Sequence, residues 1–186
     1  GVAPLMEAAD VRARATAMQR SVYERARRDL GESDPLTLSV LNNLGIIRAR
    51  TGELEPARDT FETVFEQRRL ALGERHKATL SAMANLASMK SQTGDAEGAL
   101  ALNRELVRVR IRQLGNEHPQ TLVDRGNLAT MLLDAGRLEQ ALPELETVAE
   151  ARARVLGALN PLTLRSQLNL ASGYARNGEY EKALAL

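Results

Sequence analysis

Hydrophobic residues recur along the chain with helical spacing, and the same pattern returns every 42 residues. Leu38, Leu41 and Leu44 fall on one side of a helix at about 100° per residue, with Gly45 beside them. Polar side chains occupy the opposite side of the same segment. Such a stripe predicts a helix that buries one face and exposes the other, and the later copies predict the same.

Identical residues mark the register of this repeat. A Leu-Gly dipeptide closes each unit, and Thr-Leu, Asn-Leu, a glycine and an alanine recur at the same step. The glycine markers are Leu30-Gly31, Leu72-Gly73, Leu114-Gly115 and Leu156-Gly157, together with Gly52, Gly94, Gly136 and Gly178. Four copies of so many markers indicate a repeat architecture with one structural unit per copy.

Each unit carries the signals of a helical hairpin. Asp34-Pro35 and Asn160-Pro161 place a capping side chain before a proline at the first helical position, and glycine follows each helix. We expect first helices near 35–50, 77–92, 119–134 and 161–176, and longer second helices near 12–30, 54–72, 96–114 and 138–156.

These helices predict one array over 1–186: a second helix at 12–30, repeats at 35–72, 77–114 and 119–156, and a partial repeat at 161–186. Because Gly1 stands where the repeat has Asn43, the array begins inside a unit, and it also ends inside one. We therefore expect a fragment of a longer array, whose uncapped ends are prone to self-association.

The unit resembles the tetratricopeptide repeat, and its 42-residue length is similar to the kinesin light chain subtype. Leu114-Gly115, His118-Pro119 and Thr121-Leu122 carry that resemblance, as do Asn42 to Gly45 and Gly94 to Ala99. It covers the chain from about residue 12 onward and implies an all-α fold, a right-handed superhelix of stacked antiparallel helix pairs. The composition, rich in Arg and Ala, looks like that of a bacterial member.

Composition narrows the possible functions. The net charge is +1 and only 3% of residues are aromatic, so neither the charge nor the stacking platform of a nucleic-acid binder is present. The chain has no cysteine, no phosphate-binding loop and no metalloprotease or serine-hydrolase motif. We expect a cytoplasmic chain without a membrane span, a cofactor, a metal site or catalytic activity of its own.

The polar side of the first helices is the candidate binding site, since the resemblance implies that first helices line a concave groove. Asparagine is a mediocre helix former, and its amide offers both a donor and an acceptor to an extended peptide. The candidate peptide-binding residues are Asn43, Asn85, Asn127, Asn169, Ser39, Arg50, Ser88, Gln92, Thr130, Asp134, Arg165, Ser172 and Arg176.

Other interpretations of the recurring polar residues remain open. The asparagines could instead bond to the neighbouring repeat and set the angle between repeats. His76 and His118 stand where Asp34 and Asn160 begin a helix, which favours capping over catalysis. Arg68, Arg110 and Arg152 are predicted to make contacts between repeats. Asn103 is expected to loosen the packing around it, because the equivalent positions carry apolar Phe61 and Leu145.

Two functions therefore stand against each other. The first is a scaffold that binds a protein or an extended peptide in the groove, with a mild preference for acidic sequences from Arg50, Arg165 and Arg176 against Asp134. The alternative is a structural spacer, or a self-association or regulatory module, within a larger bacterial signalling protein such as a kinase or a transcription regulator.

Overall fold

The computed structural model describes residues 3–186, with side chains from Asp10 onward. Within this range the chain forms nine α-helices and no strand. They are α1 (Ala3–Leu30), α2 (Pro35–Thr51), α3 (Leu54–Leu72), α4 (Lys77–Gln92), α5 (Ala96–Leu114), α6 (Pro119–Asp134), α7 (Leu138–Leu156), α8 (Pro161–Arg176) and α9 (Tyr180–Leu184). The predicted all-α class is confirmed.

The helices form two compact units, Gly1–Asp95 and Ala96–Leu186. In unit 1, α1 packs on α2, α2 on α3 and α3 on α4. In unit 2, α5 packs on α6, α6 on α7, α7 on α8 and α8 on α9, and α6 also contacts α8. The first helices of the repeats are thus α2 and α4 in unit 1, and α6 and α8 in unit 2.

The turn inside each hairpin depends on a glycine in the left-handed region. Gly52, with φ of 89°, ends α2, and the following Glu53 N–H donates to the carbonyl of Arg48 at 2.9 Å. Residues with a Cβ rarely adopt such a φ, so glycine is the residue that allows the two helices to double back.

The first helix begins earlier than the sequence indicated. We expected a helix near 12–30, and α1 runs over Ala3–Leu30. The repeat position of Gly52 is occupied by Asp10 here, so nothing favours a left-handed turn and the helix continues through it. The assignment of Gly1 to the asparagine position of the repeat lies outside the described residues.

The predicted apolar faces are buried. Leu38 and Leu44 in α2 and Leu80 in α4 are at most 2% exposed, and Leu122 in α6 is fully buried. Gly45 allows close packing, because a Cβ at this position would lie 2.9 Å from the ring of Phe61 in α3. With one face of each first helix fixed against its neighbours, the opposite face is presented to solvent.

Candidate functional site

We call the solvent-facing sides of the first helices the first-helix strips. The unit 1 strip consists of Ser39, Asn43, Ile46 and Arg50 on α2 and Ser81, Asn85, Ser88 and Gln92 on α4. The unit 2 strip consists of Val123, Asn127, Thr130 and Asp134 on α6 and Arg165, Asn169, Ser172 and Arg176 on α8. None of these side chains is buried, so each strip presents all its predicted binding residues at the surface of its own unit.

The four asparagines are not equivalent. Asn43 and Asn127 are exposed, and in the described part of the chain their amides make no hydrogen bond. Asn85 is half-buried, and its Nδ2 donates to Oδ1 of Asn42 on α2 at 3.1 Å. Asn169 is also half-buried, and its Nδ2 donates to Oγ1 of Thr130 on α6 at 3.2 Å. Asn85 and Asn169 therefore each bond to the preceding first helix of their own unit.

The hydroxyl and amide groups around the asparagines are largely engaged with their own helices. Ser39 Oγ donates to the carbonyl of Pro35 at 2.7 Å, and Thr130 Oγ1 donates to that of Gly126 at 2.9 Å. Gln92 Nε2 donates to Oγ of Ser88 at 3.2 Å. These bonds hold the side chains against their own helices, whereas the amides of Asn43 and Asn127 have no such bond within the described residues.

Charge on the strips is sparse. Arg50 is exposed on α2, and Arg165 is exposed near the start of α8. Arg176 Nη1 donates to the carbonyl of Leu133 at 3.0 Å and lies 3.9 Å from Asp134, so it bonds to the C-terminal end of α6. Arg176 therefore has a structural role that the sequence did not reveal, since its target is a backbone carbonyl.

Recurring arginines lie behind the strips. Arg152 of α7 is 2% exposed, and it donates to the carbonyl of Leu122 at 2.9 Å and to Oγ of Ser166 at 2.6 Å. It thereby joins α6 to α8, as the sequence predicted for a contact between repeats. Burial lowers the pKa of this guanidinium, and the nearby charge of Arg165 adds to the effect.

The equivalent arginines have different partners. Arg110 Nε donates to Oδ2 of Asp124 at 2.9 Å, and both side chains are buried. Arg68 Nη1 donates to the carbonyl of Ala78 at 3.2 Å, and burial lowers its pKa. The sequence did not predict this ion pair, because Asp124 replaces Ala82 of the preceding copy and is not part of the repeated pattern.

The histidines act as helix caps. Nδ1 of His76 accepts from the backbone N–H of Ala78 at 3.2 Å, and Nδ1 of His118 accepts from that of Gln120 at 3.1 Å. Within the described residues, no cluster of three or more acidic or histidine side chains could hold a metal ion. In the same part of the chain, no helix combines the length and apolar character needed to cross a bilayer.

Comparisons with known proteins agree with this architecture. Residues 78–142 and 120–186 each match the model of the tetratricopeptide repeat family. A crystal structure of a Podosopora anserina kinesin light chain protein with nearly identical TPR-like repeats has a TM-score of 0.84 at 25% identity. That match covers 94% of this chain and 82% of the other. No curated protein matches the sequence.

Two further structures are similar in fold. BtubC (BKLC) from P. vanneervenii has a TM-score of 0.82 at 21% identity, over 95% of this chain and 73% of that one. MamA protein has a TM-score of 0.60 at 12% identity, over 96% of this chain and 87% of that one. Both similarities concern the arrangement of helices, and neither transfers a ligand.

Proposed function

The chain belongs to the tetratricopeptide repeat family, and we propose that it binds an extended segment of another protein along its first-helix strips. Repeats of this family generally serve as scaffolds for protein interaction and not as catalysts. The finer assignment, binding along the strips, is our inference from the side chains that they display.

One observation carries this proposal. Within the described residues, each strip presents an asparagine amide without a hydrogen bond, Asn43 or Asn127, beside a second asparagine of the next repeat that bonds only through Nδ2. An amide can donate to a backbone carbonyl and accept from a backbone N–H, so a row of amides binds an extended chain whatever its side chains are. We infer a protein or peptide partner and neither a nucleic acid nor a cofactor.

The charges of unit 2 give the partner a modest chemical preference. Arg165 is exposed and makes no ion pair in the described residues, while the buried Arg152 behind it has no carboxylate partner. An acidic side chain beside Arg165 would therefore meet a positive potential. Because the site is exposed, we expect a contribution of only about 0–1 kcal/mol.

The spacer function is the second candidate, and the bonds from Asn85 to Asn42 and from Asn169 to Thr130 favour it. In that case the recurring asparagines would fix the geometry between adjacent first helices. The strips would then carry no peptide, and the chain would act as a module of a larger regulator or through self-association.

A peptide-display selection with a random dodecapeptide library separates the two functions. The chain offers matched variants: Asn43→Ala with Asn127→Ala removes amides that make no hydrogen bond within the described residues. Asn85→Ala with Asn169→Ala removes amides that join repeats. Melting temperatures are measured in parallel, with light scattering to detect self-association.

Under the scaffold proposal, the wild-type chain enriches a motif, and the Asn43/Asn127 variant loses the enrichment without a change in melting temperature. If that variant enriches the same peptides as the wild type, the unbonded amides do not contact the partner. The spacer is favoured if only the Asn85/Asn169 variant loses the enrichment and its melting temperature also falls below that of the wild type.

A further inference from the structure

The two bonded asparagines use acceptors one helical turn apart, and the repeat explains why. In the register of the repeat, the two acceptor positions on the preceding first helix are Asn42, to which Asn85 bonds, and Ile46, the equivalent of Thr130. The corresponding positions for Asn169 are Gly126 and Thr130. In unit 1 only the earlier position carries a side-chain acceptor, Asn42, and in unit 2 only the later position does, Thr130. Each asparagine bonds to the acceptor in its own unit.

Gly126 accounts for the change of position in unit 2. A Cβ at this residue would lie 3.0 Å from Nη2 of Arg152, whose guanidinium is fixed by the carbonyl of Leu122 and by Ser166. A side chain at position 126 would therefore have to displace this guanidinium from its bonds to Leu122 and Ser166. The acceptor for Asn169 is supplied one turn later, by Thr130.

We propose that Asn42 and Thr130 are positioning residues that fix the amide orientation of Asn85 and Asn169. The carboxamide is planar, so an amide whose Nδ2 donates to the protein presents its Oδ1 on the opposite side. Resting on the proposed function, this assigns Asn85 and Asn169 as acceptors for backbone N–H groups of the bound segment. Within the described part of the chain Asn43 and Asn127 have no such anchor, so their amides can turn to offer either group.

The fixed amide orientation restricts which residues of the partner can lie opposite Asn85 and Asn169. A residue without a backbone N–H, such as proline or an N-methylated residue, offers no donor to the Oδ1 of Asn85 or Asn169 and is therefore disfavoured opposite them. Opposite Asn43 and Asn127 the same residue is accepted, because the amide can rotate and donate to the carbonyl instead. The positioning residues thus determine where along its length a bound segment tolerates proline.

The first test needs no ligand. In the uncomplexed protein, nuclear magnetic resonance follows the solvent exchange of the Asn85 side-chain amide protons. We expect Asn42→Ala to accelerate the exchange and the double variant Asn42→Ala with Ile46→Thr to slow it again, since threonine at 46 reproduces the arrangement of Thr130. Ile46→Thr alone is the control. In unit 2, Thr130→Val should accelerate the exchange of Asn169, and Thr130→Ser should preserve it.

The second test measures binding of the most enriched dodecapeptide and of its N-methyl scan. Asn42→Ala is expected to weaken binding by roughly two- to tenfold, the effect of one neutral hydrogen bond, and to remove the discrimination against N-methylation at one position. The Ile46→Thr rescue should restore both.

The outcomes separate the two proposals. If Asn42→Ala leaves the Asn85 amide exchange unchanged, the anchor does not exist. If the exchange changes while affinity and the N-methyl profile stay the same, the anchor is structural and the positioning role is refuted, although binding along the strips survives. If no dodecapeptide is enriched, the proposed function fails and the positioning role fails with it, even where the exchange data show the anchor.

Discussion

At the residue scale, four first helices begin with different side chains that all cap the helix in the same way. Asp34, His76, His118 and Asn160 each accept a hydrogen bond from the backbone two residues later. The first N–H groups of a helix have no partner within it, so the cap stabilises the helix end. The structure confirms that the histidines are helix-start residues.

Replacing His118 tests this capping role. We expect His118→Ala to lower the free energy of unfolding by about 0.5–2 kcal/mol, because the N–H of Gln120 loses its acceptor. His118→Asn reproduces the cap formed by Asn160 and should cost little. Urea denaturation followed by circular dichroism measures both, and equal stability of the Ala and Asn variants would contradict the role.

Tyr174 allows a prediction of pH dependence. Its hydroxyl donates to Oε1 of Glu146 at 2.6 Å, and this bond, with burial, raises its pKa to about 12. A raised pKa means that the fold favours the neutral phenol over the phenolate. The stabilisation is therefore complete below the ordinary value of 10.0 and is lost as pH rises through about 12.

Ultraviolet titration of phenolate formation tests this shift. The chain has three tyrosines, so the difference between the wild type and Tyr174→Phe isolates one of them. We expect the difference curve to be centred near 12, the value that Glu146 imposes. The matched variant Glu146→Gln removes the carboxylate, and its curve should move toward the ordinary value; a curve that does not move would contradict the assigned cause.

At the element scale, the sequence predicted which face of each first helix is buried, because burial follows from helical spacing and residue type alone. It did not predict the partners of Asn85 and Asn169, since each partner depends on which side chain the preceding first helix carries. That side chain is Asn42 on α2 and Thr130 on α6. Asn103 was expected to loosen packing. It is 2% exposed, with its Nδ2 2.8 Å from Sδ of Met131.

The buried pair between α5 and α6 gives a prediction at this scale. Asp124→Ala leaves Arg110 without its carboxylate, so we expect the free energy of unfolding to fall by about 3–5 kcal/mol. Asp124→Ser recreates the arrangement of Arg152 with Ser166 and should cost less. Denaturation of the three proteins under identical conditions gives the comparison, and equal losses would mean that the hydroxyl cannot replace the carboxylate.

At the scale of the whole molecule, the repeat determined how much could be predicted. A motif that recurs in four copies can be recognised within a single sequence, and the resemblance to tetratricopeptide repeats rested on such recurring positions. Residues that vary between copies, such as Gly126, Asp124 and Arg176, make contacts that depend on the side chains opposite them. The fold could therefore be predicted from the sequence, whereas the contacts made by the residues that differ between repeats required the structure.

Salt dependence is a prediction that belongs to the molecule as a whole. The net charge is +1, and the unit 1 strip carries only Arg50, while Asp134 lies beside Arg176 in unit 2. Neutral amide bonds are hardly screened by ions, so binding that depends on the asparagines should respond weakly to salt. We expect the enriched dodecapeptide to lose no more than about fivefold in affinity between low and high salt, the effect of one exposed charge pair.

Isothermal titration at about 0.05 and about 0.5 M NaCl measures this, at ionic strengths where the screening length falls from roughly 14 to 4 Å. Arg165→Ser is the informative variant, since the Arg165 guanidinium is exposed and makes no ion pair in the described residues. It should remove most of the remaining salt dependence, whereas Arg50→Ser should matter only for peptides with an acidic residue over unit 1. A decrease in affinity far beyond tenfold would show that charge, and not the amide row, holds the partner.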